Sequence, residues 1–169
     1  DKGTNRFIHL CENVLIPGED WQNYDVVGIS IIGISQIIPG LTLARLLKEK
    51  FPHLHITLGG PIFSVNSGQL LGHPEFFDDF CNSIVTFEGE EPLHRLLSAL
   101  KAGDSLSTVP NLLHLDGREV VQNKERVELR FEELPGPTFD GLPMHDYLSP
   151  YPIIPVLQSR GCYWGKCTF

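Results

Sequence analysis

Two cysteines stand close together near the end of the sequence, Cys162 and Cys167, inside the glycine- and aromatic-containing run Gln158-Ser159-Arg160-Gly161-Cys162-Tyr163-Trp164-Gly165-Lys166-Cys167. Paired thiolates can hold a metal centre or close a disulfide. A structural zinc ion takes four ligands, and the chain has no second pair of cysteines at a suitable spacing. The other two cysteines, Cys11 and Cys81, are isolated among apolar residues. They are expected to behave as small buried hydrophobes in a reducing compartment.

Three further groups could build a binding site. Ser30-Ile31-Ile32-Gly33 closes one apolar run, Gly59-Gly60-Pro61 closes a second, and Glu88-Gly89-Glu90 follows a third. Small hydroxyl and glycine residues let a ligand approach the backbone closely. Each group also has an ordinary structural explanation: glycines make turns, and Glu90 and Glu91 complement the positive end of the helix that follows. The seven histidines are scattered. His53, His55, His94 and His114 are read as surface or hydrogen-bonded residues rather than ligands, and Trp21 and Tyr24 as packing residues.

The elements that must position these groups alternate. Val26 to Ile32 is nearly continuous apolar and β-branched, which predicts a strand covered on both faces in a parallel sheet. Leu41, Leu43, Ala44, Leu46, Leu47 and Phe51 recur at helical spacing and predict a crossover helix. Leu54 to Leu58 predicts a second strand, Ser67 to Leu71 a short helix, and Ser83 to Phe87 a third strand. Pro92 near a first turn, a stripe of Leu93, Leu96, Leu97 and Leu100, and Gly103 as C-cap predict another helix. Asn111 to Leu115 and Glu119 to Gln122 flank Asp116-Gly117 and predict a hairpin. Arg6 to Leu10 is expected to be an edge strand.

This order predicts an α/β fold, a doubly wound and mainly parallel sheet of flavodoxin-like or Rossmann-like type, carrying a C-terminal hairpin and a linker. Ligands of such sheets bind beyond the carboxyl ends of the strands. Residues 1–131 are assigned to this domain, the proline-rich residues 132–152 to a linker, and residues 153–169 to the opening strand of another domain.

At 169 residues and 41% apolar content, the chain can bury a sizeable core. A net charge of −8 without a Lys/Arg cluster argues against a nucleic-acid backbone or an anionic membrane surface as the main partner. No stretch reaches the roughly 18 apolar residues of a membrane span, and the first residues lack a signal-peptide layout. A soluble, cytoplasmic protein is the expectation.

The motifs in this order resemble the cobalamin-binding domain of cobalamin-dependent, class B methyltransferase-like radical S-adenosylmethionine (SAM) proteins. Ser30-Ile31-Ile32, followed after 26 residues (positions 33 to 58) by Gly59-Gly60, is similar to the family's Ser-x-Leu and Gly-Gly elements, with Ile32 in the leucine place. Phe87-Glu88-Gly89-Glu90-Glu91-Pro92 resembles a Gly-Glu-Gly-Glu-type turn at the same pocket, and Leu134-Pro135-Gly136-Pro137 a phrase preceding the barrel. Ser159-Arg160-Gly161-Cys162 resembles the strand end that opens the cluster-binding loop. The resemblance departs from the pattern twice. Four residues separate Cys162 from Cys167 where three are usual, and no Asp-x-His occurs in the chain. The absent Asp-x-His fits either a sequence that lacks that strand or, as the neighbouring cysteine segment favours, the radical SAM branch that binds cobalamin without a histidine on its lower face; the family's first strand and helix are also expected to be missing, with the sequence stopping as the radical SAM barrel begins.

The resemblance implies cobalamin bound by Ser30, Ile31, Ile32, Gly33, Gly59, Gly60, Pro61, Glu88, Gly89 and Glu90. It also implies a 4Fe-4S iron-sulfur cluster ligated by Cys162 and Cys167 and, in a full-length enzyme, S-adenosylmethionine at that cluster. No residue of the chain is expected to be catalytic, and the chain alone is expected to be inactive. The implied whole-enzyme activity is methyl transfer, with the substrate chosen elsewhere. The rival readings are a cofactor-free scaffold or substrate-docking domain and, less well supported by the glycine pattern, a flavin- or nucleotide-binding domain.

Overall fold

The computed structural model describes residues 5–128, 135–151, 153 and 154. The chain divides into two compact units, Asp1–Glu128 and Leu129–Phe169.

The first unit contains the sheet. Its elements are α1 (Arg6–Leu10), β1 (Val26–Ser30), α2 (Ile37–Lys50), β2 (His55–Gly59), α3 (Pro61–Leu70), α4 (Pro74–Phe80), β3 (Ser83–Val85), α5 (Glu90–Ala102), β4 (Leu112–Asp116) and β5 (Glu119–Gln122). The five strands lie in sequence order. β1, β2 and β3 are parallel, with Val26 opposite His55, Ser30 opposite Gly59 and Thr57 opposite Ser83. β4 runs antiparallel to β3, and β5 to β4. The fold is thus the expected open α/β arrangement, a mixed sheet flanked by helices.

The two-residue period of the strands sorts the core into two layers. Ile56 and Leu58 of β2, Ile84 of β3 and Leu113 of β4 share one cluster with Ala44, Leu46 and Leu47 of α2 and Phe77 of α4. Val85 and Leu112, their sequence neighbours, join a second cluster with Leu96 and Ala99 of α5. Helices therefore cover opposite faces. On α5 the apolar stripe is only partly used: Leu96 is buried, but Leu93 and Leu97 remain exposed. Gly103 caps the helix in the left-handed region at φ 73°, as expected.

Four local expectations need correction. Arg6–Leu10 is a helix, not an edge strand, because the Asn5 side chain accepts the Phe7 N–H at 3.0 Å and caps its first turn. The apolar residues Phe7, Ile8 and Cys11 follow helical rather than alternating spacing. The chain continues as a wide helical turn through Leu15, closed by the Ile16 N–H donating to the Cys11 carbonyl at 2.8 Å. Second, β1 is not covered on both faces: it lies at the edge of the sheet, with Gly28 and Ser30 exposed. Third, the helix after β2 is longer and starts earlier, at Pro61, which suits a first-turn position. Fourth, α4 is an additional helix. Residues 74–80 carry no assignment from the sequence, yet Pro74 opens a helix there and Phe77 is fully buried.

The hairpin forms where expected. Asp116 pairs with Glu119, so Gly117 and Arg118 make the two-residue turn, with Gly117 at φ 64°. In the second unit the described residues include one short helical turn, Met144–Asp146, and a left-handed Gly141 at φ 85°.

Candidate functional site

Because β1, β2 and β3 are parallel neighbours, their carboxyl ends finish at one end of the sheet. Ser30 and Gly59 are direct register partners, and the Ile31 N–H donates to the Gly59 carbonyl at 2.8 Å. The Glu88-Gly89-Glu90 turn follows β3 by two residues, and Gly89 lies near the Val85 side chain. The structure therefore brings the three sequence groups to one edge.

Within the first group the residues differ in orientation. Ser30 is exposed, and among the described residues its hydroxyl has no hydrogen-bond partner. Ile31 points inward and is 1% exposed, a core residue, whereas Ile32 is 68% exposed. Ile31 could meet a ligand only through its backbone.

The two glycines of the second group have different reasons to be glycine. Gly60 has φ 111°, and a Cβ there would lie 2.3 Å from the Ile31 carbonyl oxygen. No side chain fits. At Gly59 an added Cβ would meet only the Val85 carbonyl oxygen, at an ordinary 3.7 Å. Among the described residues, packing does not require Gly59 to lack a side chain. Pro61 is exposed at the start of α3.

The third group sits behind a strained residue. Phe87, a bulky side chain, adopts φ 60°, a region costly for residues other than glycine. Its N–H donates to the Ser64 Oγ at 2.7 Å, and the Arg126 guanidinium stacks 3.9 Å from its ring centroid.

Sequence reasoning missed Gln36. Its side-chain oxygen accepts the Ile32 N–H at 2.8 Å and the Gly33 N–H at 3.2 Å, closing the loop after β1 on itself. The only sequence signal is a polar residue ahead of an apolar helix.

Exposed apolar side chains lie around these strand ends. Ile32, Ile34 and Ile38 follow β1, Val65 lies in α3 after β2, and Phe87 follows β3; all are exposed. Apolar side chains gathered at strand ends are a feature of ligand and partner sites.

His55 is at the opposite, amino end of β2, where its Nε2 meets the Ser83 Oγ at 2.8 Å and Ser83 in turn donates to the Thr57 Oγ1 at 3.0 Å. Burial, with Lys48 adding to it, pushes its pKa down to about 4. Cys11 and Cys81 are buried free thiols, as expected. Burial pushes the Cys81 thiol up to about 12. Among the described residues no group of three or more His, Cys, Asp or Glu could hold a metal ion. Cys162 and Cys167 lie outside the described residues. No helix among those described is long and apolar enough to cross a membrane.

No family model matches the chain, and no curated protein matches it. Among solved structures it is similar to TsrM, a radical S-adenosylmethionine methyltransferase from Kitasatospora setae whose structure holds cobalamin and a 4Fe-4S cluster. The TM-score is 0.50 at 18% identity, and the match covers 78% of this chain. The likeness is one of fold. The chain spans 23% of the length of that protein.

Proposed function

We propose that this chain is the cobalamin-binding domain of a radical SAM enzyme, of methyltransferase type. The observation that carries the reading is the meeting of Ser30, Gly59 and the Glu88–Glu90 turn at one parallel sheet edge rimmed by exposed isoleucines. Its support is the order of motifs in the sequence and the fold shared with a cobalamin-containing methyltransferase.

The residues present fit such a group. The Ser30 hydroxyl, without a hydrogen-bond partner among the described residues, would meet its polar tail, and the vacant Cβ position at Gly59 would let that tail run against the sheet. Gly33, Gly60, Pro61 and the backbone of Ile31 would shape the walls, and Ile32 would cover an apolar edge. Glu88, Gly89 and Glu90 would close the third side. Cobalamin, when bound, supplies a cobalt centre able to carry a methyl group, while the protein binds, orients and shields it. Among the described residues, no histidine at this edge offers the cobalt a lower ligand.

In the same reading, residues 1–131 form the binding domain, residues 132–152 a linker, and residues 153–169 the opening of a radical SAM domain in which Cys162 and Cys167 ligate a 4Fe-4S cluster. S-adenosylmethionine and substrate would bind there, in a cytoplasmic enzyme.

A cofactor-free scaffold or docking domain is the second reading. One observation favours it: Gln36 already satisfies the Ile32 and Gly33 amides without a ligand. Titrating the 169-residue chain with hydroxocobalamin, followed by visible absorbance and equilibrium dialysis, separates the two. Saturable uptake that Ser30→Leu abolishes is the expected result, and no uptake by a folded chain would leave only the scaffold.

A further inference from the structure

We infer that Asn111 is a positioning residue that holds the Glu88–Glu90 turn in place for the ligand at the sheet edge, an inference that rests on the cobalamin reading. Asn111 precedes β4, opposite the end of β3, and is 2% exposed. Its backbone is in the left-handed region, at φ 53°. That conformation is least costly for asparagine and aspartate among residues with a side chain.

Every polar group of Asn111 is committed. Its carbonyl accepts two bonds from Thr86, from the N–H at 2.8 Å and from the Oγ1 at 2.9 Å. Its N–H donates to the Glu125 carbonyl at 3.0 Å. The side-chain amide donates to the Val127 carbonyl at 2.8 Å and to the Glu88 carbonyl at 3.4 Å, and its oxygen accepts the Val127 N–H at 3.1 Å. One buried side chain thus joins the turn after β3 to the segment that returns from β5.

What it holds is strained. Phe87, between Thr86 and Glu88, is kept at φ 60° by Asn111 on both sides, by Ser64 at its N–H and by Arg126 on its ring. A strained residue persists only where its surroundings over-determine it, and such residues gather at ligand clamps. Without the Asn111 amide the Glu88 carbonyl loses one of the bonds that set the turn, and the turn is held less firmly at the strand end. The ligand would then have to re-form it on binding, which lowers affinity.

Two substitutions test this. Asn111→Asp tolerates the same backbone and keeps the acceptor for the Val127 N–H but loses both donated bonds. Asn111→Gly keeps the backbone and removes the whole side chain. In the folded variants hydroxocobalamin should bind about tenfold more weakly, the factor that about 1.4 kcal/mol makes, while amide exchange at Phe87 to Glu90 quickens. A purely structural residue would lower Tm and leave the affinity of the folded chain unchanged, which overturns the role. Wild-type chain that takes up hydroxocobalamin beside variants that bind equally well sinks the role of Asn111 alone. Wild-type chain that takes up none sinks the cofactor reading and this role with it. In the wild type itself, hydroxocobalamin must slow exchange at Phe87 to Glu90 and at Glu125 to Val127 together. Protection of the turn without that second segment counts against the clamp, even where neither variant folds.

Discussion

At the scale of single residues, Gly59 and Gly60 show how neighbouring glycines can serve different ends. Gly60→Ala should cost about 2 kcal/mol or more, since it forces a Cβ into the Ile31 carbonyl at a positive φ. A urea denaturation curve shifted to a clearly lower midpoint is the expected result. Gly59→Ala should change stability by less than about 1 kcal/mol, because the added methyl meets only an ordinary contact. Yet it should weaken cobalamin uptake, and unchanged affinity in that variant would remove Gly59 from the site. Cys81, its thiol pushed up to about 12 by burial, should resist a disulfide reagent in the native chain and react only on unfolding. Rapid labelling at neutral pH would contradict the buried placement. The sequence pair Gly59-Gly60 carries no sign of this division of labour: it depends on where the Ile31 carbonyl lies after β1 and β2 pair.

At the scale of elements, the seam between β2 and β3 carries a buried polar chain. Ser83 donates to Thr57, which leaves its oxygen to accept from the His55 Nε2–H, a bond the neutral Nε2–H tautomer can make without a charge. Its pKa of about 4 in the folded chain lies below the ordinary value of 6.5. Between those two values the unfolded chain binds the extra proton, so stability rises with pH across this window and is lost as pH falls through it. Comparing pH 7 with pH 4.5, the His55 contribution should fall by roughly 2 kcal/mol, and His55→Gln should flatten that part of the dependence. Parallel pH curves for the two proteins would contradict this. Helix and strand identity were largely legible from spacing, because β1, β2, α2 and α5 carry long or strongly periodic apolar runs. Arg6–Leu10 and Pro74–Phe80 were not: each is too short for its period to distinguish a strand from a helix, and a capping Asn5 or an opening Pro74 decides the matter.

At the scale of the whole molecule, uptake of hydroxocobalamin by the 169-residue chain is the decisive expectation. The apolar rim should contribute: replacing Ile32 and Ile34 together with serine should leave Tm nearly unchanged, as both are exposed, while weakening uptake severalfold. Equal affinity in that double variant would place the ligand elsewhere. The amino-acid sequence by itself determined the alternation of strands and helices, hence a parallel sheet whose loops carry Ser30, Gly59-Gly60 and Glu88-Gly89-Glu90. Those features are local, set by side-chain period and by turn residues a few positions apart. Only the tertiary structure decided that β1 is an edge strand, that Ile31 turns into the core while Ile32 faces out, that Gln36 closes the first loop, and that Asn111 ties the third. Apart from Gln36, whose bonds span only three and four residues, each of these depends on residues brought together from distant parts of the chain, where register and packing choose the partner and no spacing in the sequence records it.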